Sequence, residues 1–304
     1  MTAVMNFALA QGAELVIMPR FVLDDAMALI TKTKPTVMPG VPTMFIAMLN
    51  HPKLASFDLS SLKFCLSGGA PLPVEVKEKF ERLTGCKVVE GYGLSEASPS
   101  VTCNPVDGPV KEGSIGQPLP GTIVSLRDLA DPTKEVVLGE KGEICIKGPQ
   151  VMLGYYKRPE ETAEQTVGEF LRTGDVARMD AEGFFFIEDR IKDLIISSGF
   201  NVYPRRIEEA IYEHAAVAEV TVIGIKHAKR GEAPKAFVRL RPGASATAAE
   251  LLEHLKPRIS KIEMPAVIEF RDELPKTMIG KLSKKELKAE EEKRSRPAKI
   301  KDQR

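Results

Sequence analysis

The sequence predicts an α/β protein with two components: a parallel sheet layered with helices and joined to a small β-barrel or sheet, then a smaller α+β domain. Three observations predict it. Over residues 1–90 short apolar runs alternate with amphipathic stretches, the pattern of repeated β-α-β units. From about Gly113 the texture changes to short strands punctuated by glycine, as in small antiparallel barrels. After residue 190 strands and helices alternate again across a stretch of ordinary domain size.

Taken in order, Glu14–Met18 reads as a strand, Leu23–Thr31 as a helix and Pro35–Met38 as a short strand. Pro42–Asn50 is a helix, Leu62–Ser67 a strand, Val74–Thr84 a helix and Lys87–Glu90 a strand. In such sheets ligands sit beyond the carboxyl ends of the strands, where Ser67-Gly68-Gly69-Ala70 and Gly91-Tyr92-Gly93 fall. Strands at Thr122–Arg127, Gly142–Lys147 and Gly183–Glu188 make the β-barrel region. Pro204 then opens a helix to about His214, at the first-turn position that tolerates proline. Strands Val217–Ile225 and Ala233–Leu240, a helix from Thr247 to Ile259 and a strand at Val267–Phe270 follow. The expected domains are 1–190 (an α/β sheet region over 1–112 and a β-barrel region over 113–190), 191–290, and a charged tail 291–304.

Composition excludes several classes. Of 304 residues 43% are hydrophobic and 28% charged, as in an ordinary soluble globular protein. A net charge of +1 gives no overall pull toward nucleic acid. Residues 1–190 carry 19 Lys and Arg against 25 Asp and Glu, a net of −6, whereas 191–304 carry 24 against 17, a net of +7. That basic excess suits phosphates or a plain solvated surface. Four scattered cysteines and four histidines show no metal spacing, which points to a reducing cytoplasm and no zinc. No leader or membrane span is legible.

Several positions carry chemistry. Gly68, Gly69 and Ala70 form a turn that lets backbone approach a flat ring or phosphate, although a tight turn alone explains it. In Gly91-Tyr92-Gly93-Leu94-Ser95-Glu96, Tyr92 offers a stacking face, Ser95 a hydroxyl for phosphate and Glu96 a hard carboxylate for Mg²⁺. Capping of a helix start by Ser95 is the competing explanation. Asp175 could accept hydrogen bonds from both ribose hydroxyls, or simply close its own turn.

Together, Arg172-Thr173-Gly174-Asp175, Asp189-Arg190-Ile191-Lys192-Asp193 and Pro275-Lys276-Thr277-Met278-Ile279-Gly280-Lys281 resemble the adenylate-forming, AMP-binding superfamily. Gly113–Pro118, Lys147–Tyr155 and Ser198–Pro204 bring the likeness closest to bacterial long-chain fatty-acid–CoA ligases. The resemblance implies ATP, Mg²⁺ and coenzyme A, a fatty acid substrate, acyl-AMP formation and then thioester formation on CoA. It assigns the adenine loop to Gly68, Gly69 and Ala70, with Tyr92, Gly93, Ser95, Asp175 and Arg190 as further nucleotide contacts. It makes Glu96 a catalytic, Mg²⁺-holding residue and Lys281 the catalytic ammonium, with Lys276 the weaker candidate. Lys192 is the implied hinge, and Ser198, Gly199, Phe200 and Asn201 line the implied CoA path.

The family's Ser/Thr/Gly-rich phosphate loop ending in Lys is not in this sequence. The expectation is therefore a partial large domain: the C-terminal portion of a synthetase, completed by a missing N-terminal half and unable alone to make acyl-AMP. Two alternatives stay open, a non-catalytic nucleotide- or CoA-binding remnant or subunit, and an aryl- or aminoacyl-adenylating enzyme. The implied location is cytoplasmic, with peripheral contact at a membrane's inner face allowed.

Overall fold

The computed structural model describes residues 2–70, 72–277 and 282–295, the last without its side chain. The chain divides into two compact units between Ile187 and Glu188, within a strand.

The first unit begins with α1 (Phe7–Ala10), α2 (Leu23–Thr33), β1 (Val37–Gly40), α3 (Pro42–Leu49), β2 (Phe64–Ser67), α4 (Val74–Thr84) and β3 (Lys87–Gly93). β1, β2 and β3 are parallel neighbours. β4 (Ser100–Cys103) and β5 (Gln117–Pro118) extend the sheet antiparallel. Apolar residues at helical spacing turn Met27 and Ile30 of α2, Phe45 and Met48 of α3 and Phe80 of α4 into one core with Cys65 and Val88. Phe45 and Phe80 meet edge to face, centroids 5.1 Å apart.

Glu14–Met18 is not a strand. Val16 and Ile17 lie open, 42% and 77% exposed. A β-prone run becomes a strand only beside another strand that takes up its backbone hydrogen bonds, and no described strand pairs with it.

A second sheet runs β10-β9-β7-β6, with β8 against β9. Its strands are β6 (Ile123–Arg127), β7 (Lys141–Lys147), β8 (Thr166–Val167), β9 (Phe170–Met179) and β10 (Phe185–Arg190), with α5 (Pro159–Glu164) before β8. Leu126, Ile144, Ile146, Ala177 and Phe185 fill its core with Ala97 and Val101.

In the second unit the sheet order is β12-β11-β14-β13, with β15 parallel to β14. The strands are β11 (Ile195–Ser197), β12 (Phe200–Val202), β13 (Val217–His227), β14 (Gly231–Leu240) and β15 (Val267–Phe270); the helices are α6 (Pro204–Tyr212), α7 (Ala248–Leu255) and α8 (Lys284–Ser295). Alternation along the strands splits the core in two. Val220, Val222 and Val238 pack with Ile207, Ile211, Leu251 and Leu255 of α6 and α7. Ile223 and Phe237 pack with Leu274 and with Leu287 of α8. α7 stops at Leu255, short of the Ile259 expected. Among the described residues no helix is long and apolar enough to cross a membrane.

Candidate functional site

The first unit brings Tyr92 and Asp175 together, while Glu96 is held by another loop. Tyr92 and Gly93 are the last residues of β3, and Gly93 is dictated by its neighbours. A Cβ there would stand 1.7 Å from the Pro99 carbonyl oxygen, so no other residue fits the backbone crossing. The short 3₁₀ turn Ser95–Ala97 follows; its N-cap position is Leu94 and not Ser95, so capping does not account for the Ser95 hydroxyl. Gly68, Gly69 and Ala70 leave the end of β2, and Gly68 lies close enough to β3 that a Cβ would contact the Gly91 carbonyl oxygen at 3.5 Å.

Asp175 lies within β9. It is 5% exposed. The Tyr92 hydroxyl donates to its Oδ2 at 2.7 Å. The Asp175 amide donates to Thr173 Oγ1 at 3.1 Å, and that hydroxyl donates to the Ile144 carbonyl at 2.9 Å. Gly174, at φ +72°, gives the strand a bend that a side chain would strain. Residues 92 and 175, 83 positions apart, thus meet at one carboxylate.

Glu96 is fixed to a different loop. The Tyr155 hydroxyl donates to Glu96 Oε1 at 2.9 Å, and the Met152 amide donates to the Glu96 carbonyl at 2.7 Å. Burial, and then the Glu96 carboxylate beside it, hold the Tyr155 phenol above its usual pKa. Tyr155 has no role in the sequence reading, although its stretch carries some of the resemblance. Glu143 is also missed there. It is 2% exposed, accepts from Arg172 Nη2 at 2.8 Å and from the Gly174 amide at 3.0 Å. A charged residue inside an apolar strand was the available signal.

The second unit holds the remaining candidates. Arg190 and Lys192 are exposed, at the end of β10 and in the 3₁₀ turn after it. Asp189, buried, accepts from the amides of Arg190 and Arg205, both at 2.8 Å. Burial pushes its carboxyl up. Lys284 Nζ pairs with Glu208 at 3.0 Å. Burial alone would lower that ammonium's pKa; the charges of Glu208, Asp189 and Asp193 outweigh it and raise it. Lys288 Nζ reaches Asp193 Oδ1 at 2.7 Å and the Lys192 carbonyl at 3.3 Å. α8 is therefore pinned to the segment that carries Lys192.

Ser198 and Gly199, both at positive φ, make the two-residue turn of the β11–β12 hairpin. Phe200 is 64% exposed beside it, with Ser198 and Asn201 also open. Lys276 Nζ is held by Glu219 at 2.6 Å. Lys281, Gly280, Ile279, Met278 and Pro71 lie outside the described residues. The residues flanking 278–281 are tied, with Lys276 bridged to Leu282 and the Ser283 amide bonded to the Pro275 carbonyl at 2.8 Å.

The model of the AMP-binding enzyme family matches residues 1–156, and that of the AMP-binding enzyme C-terminal domain matches residues 206–281. The chain belongs to the AMP-binding enzyme family. Among its relatives, the long-chain-fatty-acid–CoA ligase of Bacillus subtilis (strain 168) is 50% identical over 292 residues, covering 96% of this chain and 52% of the relative. The protein of the same name from Yersinia pestis is 48% identical over 256 residues, covering 84% and 45%. ATP-bound MatB from Rhodopseudomonas palustris has the same fold, with a TM-score of 0.85 at 34% identity over 94% of this chain and 56% of that one. The chain spans about half the length of these AMP-binding relatives. Its fold is that of the C-terminal portion of AMP-binding enzymes, including their C-terminal domain.

Proposed function

We propose that this chain carries the nucleotide- and CoA-handling portion of an ATP-dependent fatty acid–CoA ligase. A fatty carboxylate attacks the α-phosphate of ATP, forming acyl-AMP with loss of pyrophosphate; the CoA thiol then attacks the acyl carbon and AMP leaves. The substrate class rests on the 50% identity to a long-chain-fatty-acid–CoA ligase. One structural observation supports the nucleotide assignment above the rest: a carboxylate 5% exposed, held by Tyr92 at a bend in a strand. Such an acid is suited to accept from vicinal ribose hydroxyls, because leaving it unmatched is costly.

In this reading Gly68, Gly69 and Ala70 flank the adenine, Tyr92 and Gly93 border it and Ser95 meets phosphate. Arg190 gives a second nucleotide contact through its planar donor fork. Lys281 supplies the ammonium that offsets negative charge developing at the α-phosphate, a preorganised contribution of about 10²–10³ in rate. Lys192 is the pivot, and Ser198, Gly199, Phe200 and Asn201 border the pantetheine arm.

Mg²⁺ fits Glu96 chemically. Among the described residues no group of three or more His, Cys, Asp or Glu is placed to hold a metal. Mg²⁺ shared with substrate phosphates asks the protein for only one or two carboxylates. Glu96 would be that ligand, oriented by Tyr155, and the ion would neutralise phosphate charge.

A specific observation favours a working partner. Phe7, Leu9 and Ile17 are 62%, 60% and 77% exposed, and β1 stands at the edge of its sheet. Open apolar side chains and an open sheet edge both suit a polypeptide that completes the large domain.

Binding of AMP to the chain, followed by titration calorimetry, tests the nucleotide site. Asp175→Ala is expected to weaken binding about 10- to 100-fold, the value of hydrogen bonds to a charged group. Unchanged affinity would remove the nucleotide assignment.

A further inference from the structure

We infer that Glu143 is a positioning residue that aims Asp175, and through it sets the preference of this site for nucleotides that keep their ribose hydroxyls. The inference rests on the reading of Asp175 as the ribose acceptor.

Strand register sets the local geometry. β7 and β9 pair as Glu143 with Val176, but two residues further along β7 the pairing is Cys145 with Arg172. Thr173, Gly174 and Asp175 therefore stand opposite the single residue Ile144, a bulge that lifts the acid out of the ladder. Bulges re-aim side chains, and this one must be held open, because its backbone donors have lost their places in the sheet.

Glu143 does the holding. Its Oε2 accepts from Arg172 Nε at 3.0 Å and Nη2 at 2.8 Å, while its Oε1 accepts from the Gly174 amide at 3.0 Å. One carboxylate thus grips the residue before Thr173 and the residue after it. Thr173 then accepts from the Asp175 amide and donates across to the Ile144 carbonyl. The direction of Asp175 follows from that grip, and Tyr92 fixes the far end of its carboxylate at 2.7 Å. Glu143 is itself 2% exposed, so it acts through Asp175 and touches no ligand.

Charge matters here as much as shape. Both oxygens of Glu143 face donors. An amide in the same place has one oxygen and one NH₂, so Glu143→Gln turns a donor toward a donor whichever way it is flipped. The isosteric variant should disturb the bulge while leaving the volume of the core unchanged.

The test measures dissociation constants of AMP and of 2′,3′-dideoxy-AMP for the full chain. Their ratio is indifferent to the fraction of protein folded, since both nucleotides report on the same folded molecules. The unaltered chain is expected to favour AMP about 10- to 100-fold, and Asp175→Ala to bring the ratio near one. Glu143→Ala should also bring it near one, and Glu143→Gln should lower it several-fold. If Asp175→Ala collapses the ratio while both Glu143 variants keep it, the positioning role is overturned and the ribose site stands. If Asp175→Ala leaves the ratio unchanged, or the unaltered chain shows no preference, the ribose reading fails and this inference with it. Should Glu143→Ala not fold, Glu143→Gln alone decides.

Discussion

Tyr92 and Asp175 give the residue scale its clearest case. The phenol donates to a buried carboxylate at 2.7 Å, so Tyr92→Phe removes a donor from an acid that has few routes to water. A hydrogen bond to a charged group is worth about 1.5–3 kcal/mol. The variant is therefore expected to lose about 1–2 kcal/mol of stability in urea unfolding and to bind AMP more weakly. A stability equal to that of the unaltered chain would show that the phenol contributes only its ring. The sequence marked Asp175 as either a ligand acceptor or a turn former beside Thr173-Gly174. Its partner was not legible there. Tyr92 offered a flat face, and that its hydroxyl turns to Asp175 depends on bringing β3 beside β9. Glu143 was hidden for the same reason: its partners lie across a bulge, and a bulge is set by pairing between strands.

At the scale of elements, α7 and α8 are held by different physics. Thr247 and Glu250 form a reciprocal capping box, the Glu250 amide donating to Thr247 Oγ1 at 3.2 Å and the Thr247 amide to Glu250 Oε2 at 2.7 Å. Thr247→Ala is expected to cost about 1 kcal/mol in urea unfolding, and a change near zero would show the cap to be idle. The sequence supplied this start but placed the end too late, because apolar residues past Leu255 sustain the pattern without sustaining the helix. α8 is polar on most sides and depends on ion pairs. Glu269 on β15 accepts from Lys235 at 2.7 Å and from Arg294 of α8 at 2.9 Å. Burial alone would raise its pKa; the hydrogen bonds from Lys235, Arg294 and Arg271 outweigh burial and hold it at about 2, against an ordinary 4.5. A carboxylate with a depressed folded-state pKa contributes stability above its unfolded value, and that contribution fades as pH falls through the folded one. For Glu269 the window runs from 4.5 down to about 2. The stability difference between the unaltered chain and Glu269→Gln should therefore be largest near pH 7 and shrink toward zero near about pH 2. A difference independent of pH would mean that the ion pairs contribute nothing.

At the scale of the whole molecule, exposed apolar surface and an open sheet edge set the prediction. Ile17 and Phe7 are open to solvent, and β1 is an edge strand. The sequence contains no Ser/Thr/Gly-rich phosphate loop ending in Lys. The chain by itself is expected to show no ATP–pyrophosphate exchange with a long-chain fatty acid, and to gain it when a polypeptide completing the large domain is supplied. Robust exchange by the chain alone would overturn this. Periodicity and turn chemistry, which are local, determined most of the architecture from sequence: the parallel opening, the glycine-punctuated β region and the α+β close. Val74–Thr84 and Val267–Phe270 fall where their residues say they should. Glu14–Met18 does not, because a strand needs a neighbour and apolarity cannot provide one. Motif order likewise marked Asp175 and Glu96 as site candidates. Tertiary structure alone decided that Tyr92 bonds Asp175, that Glu143 grips Arg172 and Gly174 of the same strand, and that Tyr155 bonds Glu96. Those contacts join residues tens of positions apart, and only the pairing and packing of strands determines which distant side chains come within hydrogen-bond reach.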